Sequence, residues 1–355
     1  MTLGYVSGSF RSHPMAQQLI ALLDHHDRSR FRIVAYADGG RGDALTERLR
    51  GAVDRWVDTT AMSDAEAAAA IRADDVDVLM FLALHEQGAR RALPCHRAAP
   101  VQVSLHDIAT SGLAAMDAWI TDPLLHPPQG TSEWFSERLI RVPNLFLFSE
   151  LTGAAVLPRP VGDGPLTFAS FSNQAKLSLP TLSAWAEILR RVPNSTLLLK
   201  YQRLPEDASV LHRIREALAA ARIDPARLRL HSGALHRDQH LVIVGSTDIV
   251  LDPFPYNGNT ATIEALWMGV PVVTLAGSRF IGRMGLAILN RVGLGDLVAA
   301  DVDEYVAAAA TLAGDRARRI ALRSSLRDGI RASVLFDAIG YARHLEAELM
   351  HLVRR

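Results

Sequence analysis

The stretch with the clearest chemical potential is 251–275, LDPFPYNGNTATIEALWMGVPVVTL. It predicts a strand that ends at Leu251, then a loop, and then a helix that begins at Thr260 and stops at Gly269. Small and hydroxyl residues at the helix start leave backbone N–H groups and the positive end of the helix dipole open to an anion, above all a phosphate. An ordinary capped helix in an α/β sheet would contain the same residues, so both interpretations stay open at this point.

Lysine is rare in this chain, because of 38 basic residues only Lys176 and Lys200 are lysine. An ammonium group differs from a guanidinium in reach and geometry, so each lysine in such a chain indicates a task that arginine cannot perform. Lys176 follows a predicted strand, where it either binds a ligand or is a solvated loop residue. Lys200 ends another predicted strand, and a structural role is favoured there.

Histidines form a second group of candidates, because imidazole changes its charge near neutral pH. His13 lies in the loop after the first predicted strand, where it is either an acid–base or ligand-binding group or a helix cap. His85 and His106 end later strands, and each either touches a ligand or is an ordinary loop residue. His240, near a helix start, either stacks on a base or covers the core.

Familiar metal and nucleophile motifs do not accompany these residues. The sequence contains no HExxH, CxxC, Walker A or GxSxG pattern. Asp252-Pro-Phe is not an Asp-x-Asp pair that could hold a divalent cation. We therefore expect no metal site and no bound cofactor.

Strands alternate with helices along the chain, which predicts an α/β fold with mostly parallel sheets. A stretch rich in Gly, Pro and Ala at 148–165 interrupts the pattern. We therefore expect two doubly wound, Rossmann-like domains facing a cleft, over 1–150 and 151–335, and a last helix, 336–355, that can pack back on the first domain. Ligands bind beyond the carboxyl ends of the strands in such sheets. The expected site therefore lies in the loops after residues 7, 82, 105, 170, 200 and 251.

Composition restricts the class of protein. The 355 residues are 49% hydrophobic and 21% charged with a formal net charge of zero, which favours a globular protein and gives no sign of a nucleic-acid or membrane partner. The single cysteine, Cys95, excludes an internal disulfide and favours a reducing compartment. No signal peptide and no bilayer-spanning apolar run are visible, so we expect a cytoplasmic protein.

Residues 252–274 closely resemble the nucleotide-sugar signature of glycosyltransferase family 41, the O-GlcNAc transferases and their bacterial relatives, which have the GT-B fold. Shorter matches follow the same order along nearly the whole chain, which makes the set more specific than any one of them. These matches are GYVSGSFRSHP at 4–14, PVQV at 100–103, TSG at 110–112, DAWITD at 117–122, FSNQAK at 171–176, Trp185, and RVPN at 191–194.

The resemblance implies roles for the matching residues of the second domain. Lys176 would hold the β-phosphate and offset the charge that grows on the UDP leaving group, with Asn173 near the diphosphate. The helix start would also bind phosphate, through Asn259, Thr260 and Ala261.

The same resemblance implies a nucleoside site beside this helix. Glu264 would accept the ribose hydroxyls, and His240 would pack against the nucleoside, with Leu235 and Arg237 bordering the uracil. In the first domain His13 would be an active-site residue that faces the donor phosphate and the acceptor. The general base is left unassigned.

Two segments depart from the family pattern. At 106–109 the sequence His-Asp-Ile-Ala replaces the usual Gly-Tyr-Pro-Gly, and Ala261 replaces a threonine. We also expect the chain to lack the tetratricopeptide repeats that commonly precede the catalytic region, so that a separate substrate-recruiting protein could replace them.

The function implied by the resemblance is an inverting, metal-independent transfer of a sugar from a UDP-sugar to a Ser or Thr hydroxyl of a protein or peptide, with GlcNAc as the first candidate. Two alternatives stay open. One is a UDP-sugar transferase whose acceptor is a small molecule or an Asn side chain. The other is a binding protein with a degenerate active site, against which the retention of His13, Lys176, Thr260 and Glu264 argues.

Overall fold

A computed structural model of the chain describes residues 1–40, 42–86, 88–129, 134–148, 156–162, 164–201, 207–231, 233 and 235–354. The chain divides into two compact units, which are Met1–Ser149 with Val334–Arg355, and Glu150–Ser333. The linker predicted at 148–165 lies partly outside the described residues.

The first unit is built on one parallel sheet. Its strands are β1 (Thr2–Ser7), β2 (Arg32–Ala37), β3 (Arg55–Asp58), β4 (Val78–Leu82), β5 (Val101–Leu105), β6 (Ala118–Thr121) and β7 (Arg138–Arg141). They pair in the order β3-β2-β1-β4-β5-β6-β7. β4 (VLMFL) is buried along its whole length, as a strand covered on both faces must be. Because the order reverses between β1 and β4, the topological switch point of the sheet lies between them.

Three helices of this unit connect the early strands. They are α1 (Pro14–His25), α2 (Ala44–Gly51) and α3 (Asp64–Ala73). α3 begins with a capping box, in which Ser63 accepts from the backbone of Glu66 while the carboxylate of Glu66 accepts from the backbone of Ser63. α1 begins with a proline and carries a continuous buried face.

The second unit repeats the architecture. Its strands are β8 (Leu166–Ser170), β9 (Ser195–Lys200), β10 (Leu228–His231), β11 (Ile249–Leu251), β12 (Val272–Leu275) and β13 (Val298–Ala299). They pair in parallel in the order β10-β9-β8-β11-β12-β13, so the switch point lies between β8 and β11. The predicted α/β class with two doubly wound sheets is confirmed. The two-residue strand β13 was not predicted from the sequence.

The helices of the second unit surround this sheet. They are α4 (Leu179–Arg191), α5 (Ala208–Ala220), α6 (Arg237–Gly245), α7 (Thr260–Trp267), α8 (Met284–Arg291), α9 (Val302–Gly314) and α10 (Arg316–Arg331). The indole of Trp185 in α4 donates to the hydroxyl of Tyr305 in α9 at 3.0 Å, and that hydroxyl donates to the carbonyl of Asp252 at 2.9 Å. Two fully buried aromatic residues thus fix the chain where β11 ends.

The last helix, α11 (Ala338–Val353), belongs to the first unit and packs on α1. The buried carboxylate of Glu346 accepts from His26 Nδ1 at 2.9 Å and from the backbone of Asp27 at 2.9 Å. The other imidazole nitrogen lies 2.6 Å from the hydroxyl of Tyr5 in β1. Within the part of the chain that the structure describes, no helix combines the length and the hydrophobicity that crossing a bilayer requires.

Candidate active site

The loop between β11 and α7 is held by the buried carboxylate of Asp252. One oxygen accepts from the backbone N–H of Gly258 at 2.6 Å, and the other accepts from the hydroxyl of Thr274 at 2.7 Å. Burial raises the pKa of Asp252, while these two hydrogen bonds and the nearby charge of Lys176 oppose the rise. A Cβ at Gly258 would lie 3.0 Å from Asp252 Oδ1, so the close return of the loop favours glycine.

α7, like α6 and α8, begins without the side-chain cap that α4, α5, α9 and α10 have. Ser178 accepts from the backbone of Thr181 at the start of α4, whereas the side chain of Asn259 makes no such bond to α7. The buried Oδ1 of Asn259 has no partner among the described residues. Thr260 and Ala261, the first two residues of the helix, are partly exposed. The helix therefore presents an open amino end, which suits an anion.

Lys176 lies beside this amino end, in a single 3-10 turn after β8. Its ammonium donates to the carbonyl of Asn257 at 2.7 Å and lies 3.8 Å from the ring centroid of Tyr256. Burial lowers the pKa of Lys176, and the negative charge of Asp252 opposes that shift. The structure thus places a flexible point charge next to the open helix start.

A polar cluster of three charged or titratable side chains connects β9, α6 and α7. His240 Nδ1 lies 3.0 Å from Lys200 Nζ, and His240 Nε2 lies 3.1 Å from Glu264 Oε2. Because an ammonium group can only donate, Nδ1 is the accepting nitrogen and the neutral ring carries its proton on Nε2, which donates to Glu264. Burial lowers the pKa of Lys200, and Glu264 opposes that shift.

Arg237 and Phe171 complete the surroundings of this cluster. Arg237 Nη2 lies 3.4 Å from Glu264 Oε1. The ring of Phe171, just after β8, meets the imidazole of His240 edge to face with centroids 5.6 Å apart. The predicted phosphate and nucleoside residues therefore surround the loops that flank the switch point of the second sheet.

The remaining predicted residues of this unit lie at the edges of the site. Leu235 is partly buried directly before α6. Asn173 is exposed, and its side chain accepts from the backbone of Ala175 at 2.9 Å, so it caps the turn that carries Lys176. The adjacent Gln174 has a buried Oε1 without a partner among the described residues, which sequence reasoning did not single out.

Sequence reasoning also missed two charged groups of the site. Asp252 was considered only as a metal ligand, although its position at the end of a strand was a usable signal. Lys200, for which a structural role was favoured, holds the ring of His240 in place. The rarity of lysine in this arginine-rich chain was the signal that pointed to Lys200.

His13 lies in the first unit, where it begins α1. Its Nδ1 accepts from the backbone of Met15 at 3.3 Å, and its Nε2 lies 3.4 Å from Glu86 Oε1. Glu86 also accepts from the hydroxyl of Ser9 at 2.6 Å. His13 therefore caps α1, which was one of the two roles that the sequence allowed, and it also lies beside the carboxylate of Glu86.

Comparisons with known proteins agree with this architecture. The O-GlcNAc transferase of Thermobaculum terrenum, in a mutant form, superposes with a TM-score of 0.91 at 34% identity over 100% of this chain and 68% of that one. Sucrose-phosphate synthase from Thermosynechococcus elongatus shares only the fold, with a TM-score of 0.61 at 12% identity over 99% of each chain. Two doubly wound parallel sheets with these neighbours define a glycosyltransferase of the GT-B class.

The sequence relatives identify the family. The model of glycosyl transferase family 41 matches residues 1–153 and 159–345, and the chain belongs to that family. The probable UDP-N-acetylglucosamine–peptide N-acetylglucosaminyltransferase SPINDLY of Arabidopsis thaliana is 36% identical over 100% of this chain. The protein SEC of the same plant, named as a probable enzyme of that activity, is 27% identical over 98% of this chain. The chain spans 40% of the length of SPINDLY and 36% of SEC.

Proposed function

We propose that this chain transfers a sugar, with GlcNAc as the first candidate, from a UDP-sugar to a Ser or Thr hydroxyl of a protein or peptide. The observation that carries the proposal is the open amino end of α7 with Lys176 beside it, at the switch point of the second sheet. The names of the relatives, which contain both UDP-N-acetylglucosamine and a peptide, support this choice of donor and acceptor.

Lys176 and the start of α7 would receive the diphosphate. The ammonium carries a positive charge that a phosphate oxygen can engage, and the backbone N–H groups near Thr260 provide fixed dipoles. Charge on UDP grows as its bond to the sugar breaks, so these groups stabilise the transition state more than the bound substrate. We propose that they supply the stabilisation that a metal ion supplies in other transferases, and that the reaction needs no metal.

His240 and Glu264 would receive the nucleoside. The carboxylate of Glu264 can accept hydrogen bonds from two ribose hydroxyls, and it is held in place by His240 and by Arg237. The face of the His240 ring can pack on the nucleoside, because its two nitrogens are directed at Lys200 and Glu264. Leu235 would border the base from the segment before α6.

The stereochemical course follows from a single displacement. We propose that the acceptor oxygen attacks the anomeric carbon directly as UDP leaves, which inverts the configuration at that carbon. We propose His13 of the first unit as an active-site residue whose Nε2 can donate a hydrogen bond, since its Nδ1 accepts from the backbone of Met15.

The first experiment measures UDP binding by calorimetry and transfer from UDP-GlcNAc and UDP-glucose to a pooled library of Ser- and Thr-containing peptides by mass spectrometry. Lys176→Met should lower kcat about 10²- to 10³-fold and weaken UDP binding less, because the charge it offsets develops in the transition state. Arg215→Met, which removes an exposed positive charge from α5, is the control and should leave both quantities unchanged.

The outcomes separate the alternatives. Undetectable binding of UDP to the wild type would overturn the proposal. UDP binding without transfer to any peptide would favour a small-molecule acceptor or a binding protein, and a product modified on asparagine would favour an N-linked transferase.

A further inference from the structure

The ammonium group of Lys176 has two partners, which are consecutive residues of the loop between β11 and α7. Its Nζ donates to the backbone carbonyl of Asn257 at 2.7 Å and lies over the ring of Tyr256, 3.8 Å from the ring centroid. A cation at that distance from an aromatic face is attracted by the ring quadrupole, and the attraction is strongest where water is excluded. The ring of Tyr256 therefore stabilises the ammonium in this position.

The backbone on both sides of this ring is fixed by hydrogen bonds within the second unit. Asn257 is fully buried, its backbone N–H donates to the carbonyl of Ile281 at 2.9 Å, and its side-chain amide donates to the carbonyl of Pro253 at 3.0 Å. The carbonyl of Phe254 accepts from the hydroxyl of Thr181 in α4 at 2.5 Å. Both partners of the ammonium are thus in place before any ligand binds.

The titratable groups that face the ammonium of Lys176 are Asp252 and Tyr256. The two oxygens of Asp252 already accept from the backbone of Gly258 and from the hydroxyl of Thr274. A ring face attracts a cation without bringing a formal negative charge of its own. It therefore does not repel an incoming diphosphate as a carboxylate in the same place would.

This arrangement leaves the ammonium able to bind a ligand. An ammonium group has three N–H donors, of which one donates to the carbonyl of Asn257 and a second direction is occupied by the ring of Tyr256. In the part of the chain that the structure describes, the third N–H has no partner and can donate to a phosphate oxygen. Lys176 and Tyr256 are both partly exposed, so a ligand can reach them.

Burial works against the charged form of Lys176. It lowers the pKa of Lys176 to about 8, although the negative charge of Asp252 opposes that shift. A lysine with this pKa is mostly charged at pH 7, whereas a further fall to about 7 would leave about half of it neutral. A group that stabilises the ammonium therefore determines how many molecules hold a charged lysine at neutral pH.

We propose that Tyr256 is a positioning residue, whose ring face keeps the ammonium of Lys176 charged and in place at the open start of α7 before the diphosphate binds. The inference rests on the proposed sugar transfer, in which Lys176 offsets the charge that grows on UDP. Tyr256 acts through Lys176 and takes no part in making or breaking bonds. Because a charge held in place needs no reorientation as the leaving group departs, loss of the ring should lower kcat more than it raises KM.

The first test is a direct measurement by NMR, which is simple here because Lys176 and Lys200 are the only lysines of the chain. Lysine labelled with carbon-13 at the ε-methylene gives one signal for each, and Lys176→Met assigns them. In the wild type the ε-methylene protons of Lys176 should resonate upfield of their position in the unfolded chain, because Nζ lies over an aromatic ring.

Two variants of Tyr256 separate the ring from its hydroxyl. Tyr256→Leu should remove the upfield displacement and should lower the pKa of Lys176 from about 8 to roughly 7, since the attraction of the ring for the cation is lost. Tyr256→Phe, the matched control, keeps the ring and should retain both the displacement and the pKa.

Kinetics then test whether the ring acts through the lysine, with UDP-GlcNAc or UDP-glucose, whichever the wild type uses. Tyr256→Leu should lower kcat roughly tenfold at pH 7, and Tyr256→Phe should lower it less than about twofold. In a protein that already carries Lys176→Met, the change Tyr256→Leu should have almost no further effect, because no ammonium is left to position. The alkaline limb of the kcat profile should also move to lower pH in Tyr256→Leu.

Three results would overturn the proposal while the proposed function stands. They are a pKa of Lys176 that is unchanged or raised in Tyr256→Leu, a loss of kcat as large in Tyr256→Phe as in Tyr256→Leu, and an equal loss in the Lys176→Met background. The upfield displacement in the wild type needs no variant, so its absence would contradict the proposal even if Tyr256→Leu folds poorly. A wild type that neither binds UDP nor modifies any peptide would instead overturn the proposed function, and the signal of Lys176 would still report whether the ring holds the ammonium.

Discussion

At the scale of single residues, the charged groups of the second unit orient one another. Lys200 donates to one nitrogen of His240 and thereby sets which nitrogen faces Glu264. An imidazole held this way cannot rotate or change tautomer without losing two hydrogen bonds. The cluster therefore presents a fixed ring face and a fixed carboxylate to a nucleoside, and neither has to be ordered when the ligand arrives.

Replacing Lys200 by methionine tests this arrangement. Lys200→Met keeps the length and the apolar stem of the side chain and removes the hydrogen-bond donor. His240 should therefore lose its fixed tautomer. UDP affinity should fall roughly tenfold, which is the effect of about one charge-assisted hydrogen bond. The nitrogen chemical shifts of the His240 ring report the tautomer by NMR, and calorimetry reports the affinity. Arg229→Met, at an exposed position of β10, is the matched control. Unchanged nitrogen chemical shifts and unchanged UDP affinity in Lys200→Met would contradict the assigned tautomer.

The resemblance to the family implied that Lys176, His240 and Glu264 share one site, and Lys176 and Glu264 also follow strands whose carboxyl ends share an edge. It could not show that Lys200 reaches His240, since that contact depends on β9 lying beside β8 and on the angle of α6. The contact between His85 Nδ1 and Asp107 Oδ1, 2.8 Å apart in the loops after β4 and β5, was hidden for the same reason. Its two members are 22 positions apart and meet only because β4 and β5 pair.

At the scale of elements, α7 connects the site to the core. Its amino end is open, whereas its carboxyl end is tightly closed by a Schellman motif. The N–H of Val270 donates to the carbonyl of Ala265 at 2.8 Å, and that of Gly269 donates to Leu266 at 3.0 Å. Gly269 has a φ of 69°, and a Cβ there would lie 2.6 Å from the carbonyl of Arg323.

Two glycines of the second unit should therefore respond to alanine in opposite ways. Gly269→Ala forces an unfavourable φ and a close contact with α10, and it should lower the free energy of unfolding by about 2–3 kcal/mol. Gly329 lies within α10, and a Cβ there would meet nothing within 4 Å. Because alanine has the better helix propensity, Gly329→Ala should raise the free energy of unfolding by up to about 1 kcal/mol. Thermal unfolding measures both, and a loss of stability in Gly329→Ala would contradict the packing described here.

Long elements were easier to predict than short ones. The apolar run of β4 and the periodic pattern of α4 are visible in the sequence because all of β4 and one face of α4 are buried. β13 has two residues and exists because β12 offers it an edge, with Thr274 opposite Val298. A strand that depends on its partner in this way has no pattern of its own to predict it.

At the scale of the whole molecule, the first unit includes the last part of the chain. α11 joins it through the buried contact of Glu346 with His26. Burial favours the neutral acid, but hydrogen bonds from His26, from the Asp27 backbone and from Arg343 together lower the pKa of Glu346 to about 2. Burial lowers the pKa of His26, and Glu346 opposes that shift.

These two shifts make the first unit sensitive to acid. The carboxylate of Glu346 stabilises the fold above its ordinary pKa of 4.5, and this contribution is lost as the pH falls toward 2. His26 adds to the effect, because an unfolded chain binds its proton below about pH 6.5 more readily than the folded one. The unfolding midpoint should therefore fall continuously from about pH 6.5 downward.

Glu346→Gln should reduce this acid dependence and lower stability at neutral pH. Removing the charged acceptor of these hydrogen bonds costs about 2 kcal/mol, which corresponds to a decrease of about 4–8 °C in the midpoint at pH 7. Below pH 4.5 the variant and the wild type should converge. Glu348→Gln on the same helix is the control, and equal midpoints for all three proteins at pH 7 would contradict the role of Glu346.

The return of α11 also sets an order of events during synthesis. Residues 334–355 emerge from the ribosome after all of 150–333, so the second unit can fold as one continuous piece while the first still lacks α11. Until then the buried face of α1 and the nitrogen of His26 that serves Glu346 stay uncovered. The first unit is therefore completed only after the second, although most of it is translated earlier.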